Sequence, residues 1–286
     1  MDKSEPEWEL KPPKAYDNPR FLHSDAGRPL RMLAELSEPG VRLARHGVTH
    51  TVVFFGSARN PNPEEAEAHL EALREHRSGP ALSAEAEART ERRAASVRRA
   101  LHYYELARQL SRVLTEWSLA QEDPDRRFLV CSGGGPGIME AANRGAHDAG
   151  GRSVAFGISL PFEERLNAYC DNDLSFDFHY FFVRKYWFFF HARALVIFPG
   201  GFGTLDELFE VLTLVQNRKT SRAFRIVLVG REFWEAALNF SLLVEWDVIS
   251  AEDLGLFSIV DRCEEARDLV LEAFAATGEE TEVPPR

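Results

Sequence analysis

Short apolar runs alternate with longer amphipathic segments along most of this chain, and no other feature constrains its fold as strongly. Residues 51–55, Thr-Val-Val-Phe-Phe, form an apolar run that stops at Gly56-Ser57, which is typical of a strand buried on both faces. Further strands are predicted at 128–131, 153–158, 194–198, 225–229 and 258–260, and helices at 101–117, 137–149, 204–217, 232–243 and 264–276. This alternation predicts right-handed crossovers and an α/β fold with a Rossmann-like, doubly wound parallel sheet.

The 286 residues are interpreted as a single domain with additions. We expect an N-terminal extension at 1–47, the sheet domain at 48–277 and a tail at 278–286. The extension contains a helical segment at 28–46, which Pro39-Gly40 is expected to end. Within the domain, acids and arginines alternate with alanines at 61–99, with one interruption at Ser78-Gly79-Pro80. This insertion is predicted to be an exposed helical hairpin with opposite charges four residues apart, or alternatively an arm that contacts another copy.

Charge and composition exclude several classes of function. Lys and Arg number 34 against 45 Asp and Glu, a net charge of −11, so the surface repels nucleic-acid phosphates and no nucleic-acid partner is expected. No stretch reaches the ~18–20 apolar residues of a membrane span, and the charged, Pro-rich start lacks the apolar run of a signal peptide. Cys131, Cys170 and Cys263 lie far apart, which indicates neither a disulfide framework nor a zinc site. We therefore expect a soluble, cytoplasmic protein without a membrane partner.

Three of the predicted strands end in loops of small residues. These are Gly56-Ser57-Ala58-Arg59, Ser132-Gly-Gly-Gly-Pro-Gly137 and Pro199-Gly-Gly-Phe-Gly-Thr204. Glycine lets a ligand approach the backbone closely, and a helix that starts just beyond the loop offers free N–H groups and the positive end of its dipole. Because ligands of doubly wound sheets bind at the carboxyl ends of the strands, the three loops predict a phosphate-bearing ligand there.

The spacing of the glycines excludes the common nucleotide motifs. The dinucleotide pattern GxGxxG fails because Ile138 and Asp206 occupy the sixth positions after Gly133 and Gly201. No GxxxxGK[ST] sequence occurs, which excludes a P-loop nucleotidase, and no HExxH or comparable grouping indicates a metal. We therefore predict no metal and no resident cofactor.

The charged residues Glu207 and Arg184-Lys185, on either side of the third loop, each have two interpretations. Thr204-x-x-Glu207 matches a capping box, in which Glu207 has a structural role; alternatively, its carboxylate meets the sugar of a bound nucleotide. The segment 176–190 has ten aromatics in fifteen residues, which predicts mostly core, and it encloses Arg184-Lys185. These two cations either snorkel to solvent or face the cleft, where an arginine would neutralise phosphate or hold a carboxylate.

The residues in and around these loops resemble the LONELY GUY (LOG) phosphoribohydrolases. The sequence 199–207, Pro-Gly-Gly-Phe-Gly-Thr-Leu-Asp-Glu, fits their PGGxGTxxE signature, and Arg184-Lys185 stands where they carry RKxxM, with Phe188 in place of Met. Residues 132–140 and Gly56-Ser57 are similar to the earlier loops of that family. The resemblance covers roughly 51–243 without the 61–99 insertion, and the added length is similar to that of long bacterial members.

The resemblance implies hydrolysis of the N-glycosidic bond of a nucleoside 5′-monophosphate to free base and ribose 5-phosphate. It also implies that Glu207 supplies a carboxylate near C1′ and that Arg184 orients the base or leaving group, supported by Lys185. The implied substrate-binding residues are Gly200, Gly201, Gly203 and Thr204 around the phosphate, Gly56, Ser57, Gly134 and Gly135 on the earlier loops, and Glu163 and Thr213. Glu163 is equally well interpreted as a solvated loop acid. The family implies a homodimer or a higher homo-oligomer.

Two other activities are compatible with parts of this pattern. The older label of the family, lysine decarboxylase, requires a pyridoxal lysine, but beyond residue 14 only Lys185 and Lys219 remain and neither has a pyridoxal context. A nucleotide or molybdenum-cofactor carrier of the same fold would keep the phosphate loops without needing both Arg184 and Glu207. The presence of both favours the enzyme. The motifs do not distinguish AMP from a prenylated, cytokinin-type nucleotide.

Overall fold

The fold is built on a central sheet whose strands run in the same direction. In a computed structural model, residues 12–78, 83–159, 166–217 and 224–275 are described, and they form a seven-stranded parallel sheet. The strands are β1 (Thr51–Phe55), β2 (Leu129–Ser132), β3 (Ser153–Ile158), β4 (Ser175–Phe178), β5 (Ala192–Ile197), β6 (Arg225–Val229) and β7 (Phe257–Val260). Their order is β4-β3-β2-β1-β5-β6-β7, which confirms the predicted doubly wound α/β architecture.

The direction of strand addition reverses at the centre of the sheet. From β1 the chain adds β2, β3 and β4 on one side and then returns to place β5 on the other side of β1. At such a reversal the connections leave the sheet toward opposite faces, so a crevice opens at the carboxyl ends of the two central strands. The loops that follow β1 and β5 therefore border the expected ligand crevice.

Helices cover both faces of the sheet. They are α1 (Pro19–Leu22), α2 (Arg28–Arg45), α3 (Pro63–Ser78), α4 (Ala84–Leu119), α5 (Ile138–Asp148), α6 (Phe181–Phe190), α7 (Phe202–Gln216), α8 (Arg231–Ala237), α9 (Phe240–Glu245) and α10 (Cys263–Ala275). On one face α4, α5 and α10 bury Val52 and Phe54, and on the other α2, α6, α7 and α8 bury Val53 and Phe55. Strand β1 thus contributes to two cores, which explains its uninterrupted apolar run.

Helix α2 continues through Pro39 and Gly40, so the prediction that it ends there is wrong. Proline has no N–H, which leaves the carbonyl of Glu35, one turn earlier, without its usual intrahelical donor. The indole Nε1 of Trp187, on α6, donates to that carbonyl at 2.9 Å instead. Gly40 packs against the same indole, since a Cβ there would lie 2.8 Å from Trp187 Cη2. Contact with α6 therefore compensates for the proline.

The charged insertion forms a helical hairpin that continues into the core. Helix α3 is followed by α4, a single helix of 36 residues that includes both the charged stretch up to 99 and the apolar stripe predicted at 101–117. Arg77 of α3 pairs with Glu91 of α4 at 3.2 Å, and both side chains are exposed. The predicted interruption at Gly79-Pro80 lies outside the described residues.

The predicted helix at 232–243 is divided into two. Helix α8 ends at Ala237 because Leu238 is extended, with φ −134° and ψ 114°. The side chain of Asn239 then caps α9 by accepting from the Leu242 N–H at 3.1 Å. An N-cap residue in the middle of an apolar segment is the local signal for this division.

The aromatic segment 176–190 is divided between core and surface, so the prediction of a mostly buried segment holds for only part of it. It forms the edge strand β4 and helix α6. Phe178 and Phe188 are buried, whereas Phe181 is 54% and Phe182 57% exposed. Helix α6 packs on the sheet with one of its faces only, so aromatics at consecutive positions cannot all reach the core.

Candidate active site

A cleft of about 1040 Å³ opens at the carboxyl edge of the sheet. Its walls come from the loops after β1, β2, β3 and β5, from β4, and from helices α6 and α7. The sequence-predicted residues that line it are Gly56, Ser57, Gly135, Arg184, Gly201, Gly203, Thr204 and Glu207. The sheet thus brings together, at the predicted edge, residues that are far apart in the sequence.

Ser57 joins the three small-residue loops through its backbone. Its N–H donates to the carbonyl of Pro199 at 3.1 Å, and its carbonyl accepts from the N–H of Ile138 at 3.1 Å. Gly56 makes room for this arrangement, because a Cβ there would lie 2.7 Å from Ile138 Cγ1. The loops after β1, β2 and β5 therefore form one connected floor of the cleft.

The loop after β2, residues 132–137, is called the packed loop because protein atoms surround three of its four glycines, Gly133, Gly134 and Gly137. A Cβ at Gly133 would lie 2.5 Å from Arg184 Nη2, and a Cβ at Gly137 would overlap the carbonyl oxygen of Ser57. Gly134 and Gly137 also adopt φ values of +73° and +70°, which other residues rarely adopt. Glycine is therefore needed at these positions because the surrounding protein atoms and the backbone conformation leave no place for a side chain.

Asn167 holds the packed loop in place. Its backbone N–H donates to the carbonyl of Gly134 at 2.7 Å, and its Nδ2 donates to the carbonyls of Gly134 at 2.9 Å and Gly135 at 3.0 Å. The same Nδ2 lies 3.0 Å from Oδ1 of Asn143, which also accepts from the Ser132 hydroxyl at 2.7 Å. Sequence reasoning missed Asn167, because it lies outside every motif and acts only through the fold.

The loop after β5, residues 199–204, is called the open loop because two of its glycines face space. No described atom lies within 4 Å of the position that a Cβ would take at Gly201 or at Gly203, and both residues are exposed. Both line the cleft. Their lack of a side chain therefore leaves the backbone accessible from the cleft.

The predicted capping box of Thr204 and Glu207 is not formed. Helix α7 begins at Phe202 with Gly201 as its N-cap, so Thr204 is the third residue of the helix instead of its cap. Thr204 is buried and packs over Gly200, where a Cβ would overlap its Oγ1. The helix begins two residues earlier than predicted. The structural interpretation of Glu207 as a capping residue is therefore wrong.

Glu207 is a buried carboxyl group in the wall of the cleft. The residue is 8% exposed, and its Oε2 finds no hydrogen-bond partner among the described residues. Burial raises its pKa to about 7, although the nearby charges of Lys185 and Arg184 favour the ionised form. A carboxyl group with a pKa about 7 gains and loses a proton at neutral pH, which suits general acid–base chemistry.

Arg184 reaches the cleft from helix α6 and is held on two sides. Its Nε donates to the carbonyl of Phe156, in β3, at 2.7 Å, and its guanidinium lies 5.0 Å from the ring centroid of Phe188. Gly133 of the packed loop provides the space beside Nη2. The guanidinium therefore has a defined orientation, and its positive charge acts on Glu207.

Several predicted site residues lie elsewhere. Lys185 binds Asp206 Oδ2 at 2.7 Å and Glu210 Oε2 at 2.6 Å; burial opposes the charge, yet these hydrogen bonds raise the pKa of Lys185. Lys185 therefore links α6 to α7 through these two ion pairs. Thr213 is exposed, and its hydroxyl donates to the carbonyl of Phe209 at 2.7 Å. Neither Lys185 nor Thr213 is among the described residues that line the cleft. Glu163 lies outside the described residues.

The other two predicted glycines lie beside the cleft. Gly134 is buried in the packed loop behind the lining residue Gly135. Gly200 borders a second cavity of about 600 Å³, which α4, α8 and Ser57 also line. Both glycines therefore shape the loops instead of facing the cleft.

Arg59 and Asp177 are among the polar residues of the cleft that were not predicted. Arg59 follows β1, is exposed and lines the cleft beside Ser57, so it could have been found as the cation of the first small-residue loop. Asp177 of β4 also lines the cleft and accepts from the hydroxyl of Ser159 at 2.8 Å. Asp177 lies within the aromatic segment, where no motif marks it.

The described residues carry neither a metal-binding cluster nor a membrane-spanning helix. None of their His, Cys, Asp and Glu side chains form a group of three or more suited to a metal ion. The helices of the described ranges all lack the length or the apolar character needed to cross a membrane. Cys131, Cys170 and Cys263 are free thiols.

Residues 139–270 match a protein family described as "Possible lysine decarboxylase". This region includes α6 and α7 with Arg184 and Glu207, and it begins just after the packed loop. The chain is also 29% identical over 150 residues to a "Probable cytokinin riboside 5′-monophosphate phosphoribohydrolase LOG4" of Oryza sativa subsp. japonica, over 51% of this chain and 64% of that protein.

A second curated relative is the cytokinin riboside 5′-monophosphate phosphoribohydrolase LOG5 of Arabidopsis thaliana. It is 33% identical over 101 residues, which are 34% of this chain and 43% of that protein. Each of these two matches therefore spans less than two thirds of the length of the relative concerned. Together these matches confirm the resemblance to the LOG family that the loop motifs indicate.

Among solved structures, the chain is similar to a Moco carrier protein from Chlamydomonas reinhardtii. The identity is 16%, the TM-score is 0.42, and the likeness covers 79% of this chain and 98% of that chain. A likeness at this level transfers neither a ligand nor an activity.

Proposed function

We propose that this chain hydrolyses the N-glycosidic bond of a nucleoside 5′-monophosphate and releases the free base and ribose 5-phosphate. The observation that carries the proposal is Glu207, a buried carboxyl group with a pKa about 7 that lines the cleft beyond the open loop. The relatives named above are phosphoribohydrolases by name, which supports the same general reaction.

The open loop suits the 5′-phosphate. Helix α7 is 15 residues long, and the N–H groups of its first turn point out of the helix without intrahelical acceptors. These groups and the positive end of the helix dipole attract an anion. The space at Gly201 and Gly203 lets phosphate oxygens approach the backbone. We therefore assign the phosphate to this end of the cleft.

Glu207 then lies on the ribose side of the phosphate. An α-helix rises about 1.5 Å per residue, so Glu207 lies about 7.5 Å along α7 from Phe202. A sugar whose phosphate is bound at the start of α7 extends toward this carboxylate. As the base departs, C1′ gains oxocarbenium character, and the ionised carboxylate stabilises that charge and accepts a proton from the attacking water.

Arg184 acts on the departing base. A guanidinium remains protonated in proteins, so it donates hydrogen bonds but does not transfer its proton. Arg184 lines the cleft, where hydrogen bonds from its guanidinium to the base would stabilise the leaving group. The C1′–N bond breaks with its electron pair on the base, and water adds its hydroxyl to C1′. The proton that Glu207 accepts from this water is released to solvent, and the base takes up one proton from solvent, which restores the carboxylate.

The test is product release from a panel of nucleoside 5′-monophosphates. AMP and a prenylated, cytokinin-type AMP are the first pair to compare, with GMP, CMP and UMP as further substrates. The nucleosides without phosphate are the matched controls, since they lack the group assigned to the open loop. We expect release of equal amounts of base and ribose 5-phosphate from at least one monophosphate and much slower release from its nucleoside. Tight nucleotide binding without any product would contradict the proposal and favour a carrier of the same fold.

A further inference from the structure

Glu35 of the N-terminal helix α2 forms hydrogen bonds with the helix that carries Arg184 and with the residues just before it. Its carboxylate accepts from two backbone N–H groups just before α6, from His179 to Oε1 at 3.0 Å and from Tyr180 to Oε2 at 3.2 Å. Tyr180 is the N-cap of α6 and supplies no side-chain cap of its own. Glu35 thus provides, from a distant part of the chain, the acceptor and the negative charge that a helix N-terminus favours.

The same residue holds α6 at a second point. The backbone carbonyl of Glu35 accepts from Trp187 Nε1 at 2.9 Å, and it can do so because Pro39 offers no N–H to it. Gly40 leaves room for the indole. Glu35 therefore binds α6 at its start through the side chain and near its middle through the main chain.

Arg184 lies between these two points. Its N–H donates to the carbonyl of Tyr180 at 3.1 Å, which places it in the first turn that follows the capped residue. Its guanidinium must then meet the carbonyl of Phe156 and pass beside Gly133, where the available space is narrow. A small shift of α6 along or about its axis would move the guanidinium out of this position.

We infer that Glu35 is a positioning residue for Arg184, and that α2 is part of the support of the active site. This inference rests on the proposed function for the role of Arg184. It gives the N-terminal segment, predicted as an extension of the sheet domain, a function in catalysis without contact with the substrate.

The test compares Glu35→Gln with Glu38→Gln, which changes a carboxylate on the same helix that pairs with Arg42 at 2.8 Å and is 56% exposed. Glutamine keeps one acceptor oxygen but loses the charge and the second acceptor. We expect Glu35→Gln to lower kcat by about tenfold with little change in KM, because a lost hydrogen bond to a charged group is transmitted to the transition state. Glu38→Gln should keep the wild-type kcat.

A double variant separates positioning from a general structural effect. In an Arg184→Ala background, Glu35→Gln should cause no further loss of the residual activity, because the group it positions is gone. An equal fractional loss in both backgrounds, or a wild-type kcat for Glu35→Gln, would overturn the inference.

An NMR readout keeps the inference testable apart from the proposed reaction. The Arg184 Nε–H resonance should shift or broaden in Glu35→Gln and stay unchanged in Glu38→Gln. An unchanged resonance in Glu35→Gln would overturn the positioning role whether or not the wild type turns over a nucleotide. Absence of wild-type turnover together with the expected shift would contradict the proposed function alone.

Discussion

The packed loop and the open loop are similar in sequence but differ in what surrounds their glycines. In the packed loop, a Cβ at Gly133 or Gly137 would meet protein atoms, and the loop carbonyls are held by Asn167. In the open loop, no described atom lies near the Cβ positions of Gly201 and Gly203. The first loop therefore uses glycine so that the protein can pack, and the second uses glycine so that a ligand can approach.

This difference assigns separate tasks to the two walls of the cleft. The packed loop defines where Arg184 can lie, because the guanidinium occupies the space that Gly133 leaves. The open loop begins α7, which carries Glu207 and presents the start of the helix to the cleft. Substitutions in the packed loop should therefore reduce stability, whereas substitutions around the open loop should reduce binding or turnover in a folded protein.

The largest effect is expected for Glu207→Gln, on the helix that follows the open loop. Replacing the carboxylate by an amide removes the base and the negative charge near C1′, so turnover should fall by about a thousandfold. Nucleotide binding should survive, since the phosphate is assigned to the backbone of α7. Rates and affinities measured on the same preparation check this prediction. Glu235→Gln, which changes an exposed carboxylate on α8, is the control, and a Glu207→Gln variant with near wild-type turnover would contradict the assignment.

A large loss of stability is expected for Gly137→Ala in the packed loop. The residue has φ +70°, and a Cβ would overlap the carbonyl oxygen of Ser57, so the free energy of unfolding should fall by about 3 kcal/mol. The matched control is Gly150→Ala, which has φ +72° but no described atom within 4 Å, and for which we expect a loss of about 1 kcal/mol. Urea denaturation of both variants measures the difference. Equal losses would mean that packing around Gly137 is not what distinguishes this loop.

A smaller effect is expected for Gly203→Ala in the open loop. The position is in the first turn of α7 with open space around it, so the fold should be retained and the melting temperature should not fall. The added methyl group lies where the phosphate is expected and should weaken AMP binding by about tenfold. Calorimetric titration and thermal unfolding of the same variant provide the two measurements. An unchanged affinity for AMP would contradict the assignment of the phosphate to this end of the cleft.

Much of the fold could be predicted from the sequence, since the buried strands are short, apolar and ended by glycine. Strand β1 at Thr51–Phe55 and strand β6 at Arg225–Val229 have the predicted bounds. The continuation of α2 past Pro39 was not predictable, because the lost hydrogen bond is replaced by one from Trp187, which is distant in sequence. Strand β4 was hidden in the aromatic segment, where no turn residues separate the strand from the helix.

The candidate site could be predicted as a set of residues but not as an arrangement. The motifs identified Arg184 and Glu207, and both line the cleft. The local pattern also allowed a capping box at Thr204, but α7 begins at Phe202 and Thr204 instead packs over Gly200. Whether a loop glycine faces protein or space depends on segments such as that around Asn167, so the two loops could not be distinguished by sequence.

The most direct test of the central claim is the pH dependence of kcat/KM for hydrolysis of the preferred monophosphate. As a base, Glu207 acts when ionised, so kcat/KM should rise about tenfold per pH unit below its pKa and level off above about pH 7. The substrate phosphate titrates near pH 6, so the affinity for ribose 5-phosphate over the same range supplies the correction. The predicted result is a fall of kcat/KM below about pH 7 that remains after the titration of the substrate phosphate has been corrected for. A fall near the ordinary carboxyl pKa, or a flat profile, would contradict the account of Glu207 as a buried base.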